Sequence, residues 1–364
     1  MTEIKPDLYS KTDTKPDLYS MTEEELLSYF LSIGEPKFRA KQVFSAIAQG
    51  TPISDITTLS KALRERLANE TLDSLPRVRE RLVSQIDGTV KYLFELHDGA
   101  CIESVLMKYK HGNTLCISSQ VGCRMGCKFC ASTIGGKERD LMPSELLGQI
   151  TVAQRDSGER ISNVVMMGIG EPLDNFDNVV KFLRLVGDER GLNIGYRHIS
   201  LSTCGVVPGI LRLAEEELPI TLSISLHAAT DERRSEIMPI NKKWNIDELL
   251  AACVSYYKRT GRRISFEYTL ISGKNDTEED ARLLASVLKN AFRGTGAPIH
   301  VNLIRVNEVK ETGFVAGSVG SANAFADILN SLGVVATVRR RLGSDVNAAC
   351  GQLRRKALTE KNDN

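Results

Sequence analysis

The sequence predicts an α/β fold with a parallel sheet, and three observations predict it. Strand-like and helical runs alternate from about residue 114 almost to the C-terminus. The segment before them reads differently, first as short helices and then as hairpin strands. Three cysteines occupy the loop leaving the first alternating strand, the end of an α/β sheet where chemistry collects.

The strand-like runs are 114–119, 161–168, 198–203, 220–227, 263–271 and 298–304, with 334–340 last. Helical stretches near 143–156, 176–187, 207–217, 245–260, 276–292 and 321–332 separate them. Six successive βα units require parallel strands and right-handed crossovers. Periodicity alone leaves open whether the sheet closes, and the units are fewer than in an eight-fold barrel.

Upstream, Lys5-Pro6-Asp7-Leu8-Tyr9-Ser10 recurs as Lys15-Pro16-Asp17-Leu18-Tyr19-Ser20. Two polar copies cannot build a solenoid, so residues 1–21 read as a disordered or loosely docked extension, with Met21 an alternative start. Order is expected from Thr22, where Thr22 and Glu25 form a capping box ahead of Leu26, Leu27, Phe30 and Leu31. Apolar spacing at Phe38, Val43, Phe44 and Ile47, and at Leu59, Leu63 and Leu67, makes 22–75 a small helical domain. Lys37, Arg39 and Lys41 read as solvated surface. Residues 76–112 read as hairpin strands turning at Asp87-Gly88 and near His97-Asp98-Gly99.

The 364 residues, 42% hydrophobic and 26% charged, fit a globular protein with one large domain and an appendage. Eight cysteines without a signal peptide favour a reducing cytoplasm over a secreted disulfide scaffold. No apolar run reaches the length of a membrane span. Net charge is +1 and names no partner, but Arg339, Arg340, Arg341, Arg354, Arg355 and Lys356 bracket Cys350 with Asp345 as the only acid among them. A phosphate-rich partner brought to that thiol competes with a plain solvated face.

Cys123, Cys127 and Cys130 have the spacing C-x3-C-x2-C. Three thiolates suit three irons of a four-iron, four-sulfur cube, leaving one iron open for a ligand. Zinc with a distant fourth ligand, or unrelated buried thiols, are the rival readings; the spacing does not repeat the paired C-x2-C of a zinc ribbon.

This cysteine motif, with Gly168-Ile169-Gly170-Glu171-Pro172 closing the second strand, resembles the radical S-adenosylmethionine (SAM) enzymes. More narrowly, Cys116-Ile117-Ser118-Ser119-Gln120-Val121-Gly122-Cys123, Leu201-Ser202-Thr203-Cys204-Gly205, Ser225-Leu226-His227 and Ala348-Ala349-Cys350-Gly351-Gln352-Leu353 resemble the RlmN and Cfr methyltransferases. The likeness spans roughly residues 22–356. It implies a partial (β/α)6 radical SAM barrel over 113–345, preceded by a helical accessory domain and a β-rich adaptor at 76–112, and followed by a catalytic-cysteine loop and basic tail at 346–364.

The resemblance implies methylation of an adenine ring carbon: C2 by RlmN, at 23S rRNA position 2503 and tRNA position 37, or C8 by Cfr, which brings antibiotic resistance. Such carbons lie between ring nitrogens and are poor nucleophiles, so radical chemistry replaces ordinary methyl transfer. By the same resemblance Cys123, Cys127 and Cys130 hold the cluster, whose open iron chelates SAM. Gly170, Glu171, Ser202, Ser225, Leu226, His227 and Asn307 are the implied SAM contacts. Taken singly, Glu171 also suits a helix cap and His227 a satisfied strand-end histidine. Cys101, Cys204 and Cys253 read as small buried hydrophobes.

Cys350 is implied to take a methyl group from one SAM. A second SAM supplies the radical that removes hydrogen from that S-methyl group, and the carbon then adds to the ring, giving two SAM per methylation. Glu103 is the implied base for the ring proton, and Cys116 the implied resolving thiol, through a transient disulfide with Cys350. Partners implied are 23S rRNA, tRNA and an electron donor such as flavodoxin or ferredoxin, acting on a cytoplasmic monomer. Pro172 and Val121 lie on the RlmN side, Arg305 on the Cfr side, and Glu308 after Asn307 departs from the proline of many relatives. C2 chemistry is favoured. Standing against it are C8 chemistry, a radical SAM enzyme acting on a peptide or small molecule, and a zinc-stabilised RNA-binding module.

Overall fold

The computed structural model describes residues 15–307, 313–346 and 353–354. The second copy of the repeat is already docked, which corrects the expected start of order at Thr22. Leu18 is fully buried, and the Asp17 carboxylate accepts hydrogen bonds from Ser74 Oγ and Ser144 Oγ, both at 2.6 Å. Tyr19 Oη accepts from Ile53 N at 3.0 Å, and Leu72 N donates to Pro16 O at 2.9 Å. A few residues therefore tie this arm to three later segments, around Ile53, Leu72 to Ser74, and Ser144, which a composition-based reading misses. The first copy lies outside the described residues.

Helices α1 (Glu23–Ser32), α2 (Phe38–Ile47) and α3 (Lys61–Glu70) follow. The capping box is present: Thr22 N donates to Glu25 Oε2 at 2.8 Å and Glu25 N to Thr22 Oγ1 at 3.3 Å. Leu26, Phe30, Val43, Phe44, Leu63 and Leu67 turn inward as their spacing requires. Lys37 and Lys41 are exposed.

Strands β1 (Arg77–Val83), β2 (Val90–Glu95), β3 (Cys101–Tyr109) and β4 (Gly112–Cys116) pair antiparallel in sequence order. A small hairpin of β5 (Gln120–Gly122) and β6 (Lys137–Asp140) carries the three cysteines in its loop. The alternating part is then α4 (Pro143–Ser157), β7 (Ile161–Met166), α5 (Phe176–Gly187), β8 (Ile199–Thr203), α6 (Val207–Glu215) and β9 (Thr221–Ser225). It continues through α7 (Asp231–Ile237), α8 (Ile246–Thr260), β10 (Ile264–Leu270), α9 (Glu278–Ala291), β11 (Ile299–Arg305), α10 (Val319–Ser331) and β12 (Val335–Val338).

The ten strands outside the small hairpin form one sheet in the order β1-β2-β3-β4-β7-β8-β9-β10-β11-β12. From β4 to β12 every pairing is parallel. Among the described strands the ends β1 and β12 do not pair, so this is a partial barrel of six βα units extended by an antiparallel edge. The expected strands and helices of the alternating region all occur, and α7 is added between β9 and α8.

The register separates two faces. Leu115, Val164, Leu201, Leu222, Ile224, Phe266, Val301 and Leu303 face one way and are buried in the main core. Ser200, Ser202, Ser223, Ser225, Ser265, Glu267, His300, Asn302 and Thr337 alternate with them on the other. The helices cover an apolar face; the opposite face is polar. That inner face leads to the site.

Candidate active site

The candidate residues gather at the C-terminal ends of the parallel strands. The cysteine loop follows β4, Gly170 and Glu171 follow β7, and Ser202 is the penultimate residue of β8. Ser225 ends β9 with Leu226 and His227 next, and Asn307 lies two residues past β11. This is where loops of α/β barrels build their sites.

In the loop, Cys123 and Cys127 are buried and Cys130 half-buried. Cys123 N donates to Gly136 O at 3.0 Å, Cys130 N to Cys127 O at 3.1 Å, and Lys128 N to Ile237 O at 2.9 Å. Gly122 has φ +78, and a Cβ there would lie 2.0 Å from Gly136 O, so only glycine admits the two strands so closely. Burial raises the Cys123 thiol to about 12, with the neighbouring Cys130 adding like-charge repulsion; Cys127 is raised by the same causes. Coordination overrides such shifts, because a bound metal deprotonates the thiol.

Three soft, sheltered thiols suit an iron–sulfur centre. Among the described residues no three His, Cys, Asp or Glu side chains stand close enough to grip a lone metal ion.

Gly170 has φ +107, and a Cβ there would lie 2.7 Å from Gln120 N and from Ser119 Oγ. Glu171 is buried; its Oε1 accepts from Leu173 N at 3.0 Å and its Oε2 from Cys204 N at 2.7 Å. Burial raises its carboxyl, with these bonds opposing. Glu171 does cap the short turn that follows, as the plainer reading foresaw, and that cap fixes it beside the thiols of Cys123 and Cys204.

His227 is buried at φ +58; its Nδ1 accepts from Thr269 N at 2.9 Å, and its ring packs edge-on against Phe129 at 4.9 Å. Burial lowers it to about 3, with Arg234 adding to the shift, so the imidazole is neutral. Phe129 stands between Cys127 and Cys130, which links the strand-end histidine to the cysteine loop.

Glu103 is not an outward-facing strand residue. It and Lys91 have side chains 1% exposed, with Lys91 Nζ 3.1 Å from Glu103 Oε2. Glu103 Oε1 accepts from Arg354 N at 2.6 Å. Cys116 is buried on the same sheet face, packed with Val105, Met107 and Leu342. Cys350 and its proposed link to Cys116 lie outside the described residues. Described positions on either side meet the antiparallel strands and the turn between β1 and β2: Gly343 N donates to Asp87 Oδ2 at 2.8 Å, Asp345 Oδ1 accepts from Ser84 Oγ at 2.7 Å, and Leu353 packs on Leu93 and Cys101.

The arginine clusters need correction. Arg354 is buried and pairs with Glu138, and Arg339 is half-buried, donating to Met167 Sδ at 3.7 Å. Arg340 and Arg341 are exposed, while Arg355 and Lys356 lie outside the described residues. In the sequence all six basic residues read alike.

The sequence reading missed Lys91, Arg234 and the pair Glu267 and Asn302, which stands beside Ser225 on the inner face. Glu267 Oε2 accepts from Asn302 Nδ2 at 2.7 Å, and burial raises its carboxyl against the pull of Arg339. The available signal was a charge inside an apolar strand, as in Ile264-Ser265-Phe266-Glu267-Tyr268.

An open α/β barrel with a three-thiol loop at the strand ends defines a radical SAM protein. Residues 117–285 match the family model of the Radical SAM superfamily, and residues 16–72 that of the ribosomal RNA large subunit methyltransferase N-terminal domain. A Clostridium botulinum (strain Alaska E43 / Type E3) protein called "Probable dual-specificity RNA methyltransferase RlmN" is 55% identical over 333 residues, covering 91% of this chain and 94% of its own. Its namesake from Alkaliphilus oremlandii (strain OhILAs) is 52% identical over 92% of this chain and 95% of its own. A crystal structure of a radical SAM methyltransferase from Sphaerobacter thermophilus superposes with a TM-score of 0.87 at 40% identity, covering 93% of this chain and 98% of that one. The chain belongs to the RlmN family of radical SAM RNA methyltransferases. The 16–72 match takes in the docked arm that begins before Thr22.

Proposed function

We propose that this chain methylates C2 of adenine in RNA with dual specificity, at 23S rRNA position 2503 and tRNA position 37, by way of an S-methylated Cys350. One observation carries the reading: the cysteine loop and all the candidate SAM residues lie at one end of one parallel sheet, with Glu103 and Cys116 on its inner face. Cys123, Cys127 and Cys130 would hold a four-iron, four-sulfur cluster, and Gly170, Glu171, Ser202, Ser225, Leu226, His227 and Asn307 would line the SAM site. When bound, the cluster and SAM supply a carbon-centred radical.

The chain's own residues do the rest. Gly170 lets the backbone approach the ligand, and the Glu171 carboxylate complements an ammonium. Neutral His227 closes the site without adding charge. Cys350 carries the methyl carbon, Glu103 removes the ring proton, and Cys116 attacks the Cys350 sulfur to release product. Arg340 and Arg341 remain available for RNA phosphates. The reductant is a small electron carrier such as flavodoxin or ferredoxin, and the protein acts as a cytoplasmic monomer. Among the described residues no helix is long and apolar enough to cross a membrane.

The test incubates anaerobically reconstituted protein with SAM, reductant and separate rRNA and tRNA fragments, then maps methylated nucleosides. The reading requires 2-methyladenosine in both RNAs. 8-Methyladenosine would assign Cfr chemistry, and colourless protein holding zinc without iron would remove the radical mechanism.

A further inference from the structure

Arg234, on α7, is fully buried, yet no carboxylate pairs with it among the described residues. Its donors go to neutral oxygens. Nε donates to Leu226 O at 3.1 Å and Nη1 to Asn241 Oδ1 at 2.8 Å. Nη2 donates to Cys204 O at 2.6 Å and Ser225 O at 3.2 Å. One guanidinium thus ties together the ends of β8 and β9, where the candidate SAM residues lie.

The fold makes room for this charge. Gly205 has φ +105, and a Cβ there would meet Arg234 Nη2 at 3.2 Å. A buried cation without a counter-ion is strongly unfavourable unless the site supplies negative charge. Asp231, on the same helix, acts on it from beyond pairing distance with its Oδ1 bonded to Asn241 Nδ2 and Ile246 N, and the Cys204 and Cys127 thiols are among the other neighbours that favour the charge. Cys127 packs with Cys204, Ile237 and Met238 at the end of α7, and Lys128 N is bonded to Ile237 O. Burying three metal-bound thiolates there adds to the anionic charge around Arg234.

We propose that Arg234 is a positioning residue for the iron–sulfur centre: its buried charge offsets that of the thiolate-held cluster, and its fork fixes the strand ends around it. The inference rests on the cluster assigned above. Reduction adds a negative charge to the centre, so a nearby fixed cation favours the reduced state.

The experiment measures iron content and the midpoint potential of anaerobically reconstituted wild type, Arg234→Lys and Arg234→Gln, by spectroscopic redox titration. Circular dichroism of each apoprotein reports folding. Arg234→Gln is expected to lower the reduced-to-oxidised ratio about tenfold at fixed ambient potential, equivalent to about 59 mV for one electron. Arg234→Lys should stay within about twofold of wild type, since the charge remains. An unchanged midpoint in folded, iron-loaded Arg234→Gln overturns the proposal. If that variant does not fold, Arg234→Lys decides: a near-wild-type midpoint supports the charge, and a tenfold fall overturns it. Wild-type protein that binds no iron would instead overturn the cluster assignment itself.

Discussion

Glu103 has two roles in this account, one in folding and one in chemistry, and mutation of Lys91 separates them. Both side chains are 1% exposed and stand 3.1 Å apart. At an effective dielectric of roughly 20, unit charges at that distance attract by about 5 kcal/mol. Removing one partner takes the nearby opposite charge from the other in the interior, which destabilises by about 3–5 kcal/mol. Lys91→Met and Glu103→Gln should each lower stability by that order in urea denaturation followed by circular dichroism. The double variant removes both buried charges, so it should recover most of the loss, with a coupling of about 2 kcal/mol or more. Glutamine keeps an oxygen for the bond from Arg354 N. The double variant should therefore fold yet stay about 10²–10⁴-fold slower in ring-proton removal. Simple addition of the two single losses would refute the buried pair. Full turnover in the folded double variant would refute Glu103 as base.

Three further outcomes follow from the geometry. Gly170→Ala should destabilise by about 1–3 kcal/mol from backbone strain and weaken SAM binding in calorimetry, because its Cβ meets backbone and side chain at 2.7 Å. Cys127→Ala should lose iron on reconstitution, whereas Cys253→Ala, altering a thiol buried within α8, should keep it by colorimetric assay. Acid should loosen the C-terminal segment: burial pulls the Asp87 carboxyl up, but bonds from Gly343 N and Thr89 N outweigh it and hold it at about 2. A depressed carboxyl contributes stability above its unfolded value of about 3.9 and loses it as pH falls through about 2. Hydrogen exchange at Gly343 should rise across that window, and Asp87→Asn should reduce the pH dependence, leaving the part due to Asp345, which the Ser84 hydroxyl also holds low.

The parallel sheet was legible because apolar residues recur at the helix-facing strand positions, as at Leu222 and Ile224 or Val301 and Leu303, and a helical stretch separates each strand from the next. The cysteine loop was legible from spacing alone. The docked arm was not, since Asp17, Leu18 and Tyr19 find their partners at Ser74, Ser144 and Ile53, far away in sequence. Arg234 was hidden in Asp231-Glu232-Arg233-Arg234-Ser235-Glu236, which reads as a solvated helix face. Arg233 is partly exposed and pairs with Asp280, whereas its neighbour is wholly buried. Charge composition cannot separate two adjacent arginines; packing does. The same holds for Arg354, whose place in a basic run concealed its pairing with Glu138.

The central claim is that the methyl carbon passes through a cysteine and loses a hydrogen there before reaching the ring. Turnover with SAM bearing a trideuterated methyl group tests it directly, read by mass spectrometry of the modified nucleoside. The expected product is a ring methyl with two deuterium atoms, because one leaves the S-methyl group on Cys350 and a solvent proton completes the product. A methyl group that retains all three, or undiminished turnover by Cys350→Ala, would contradict it.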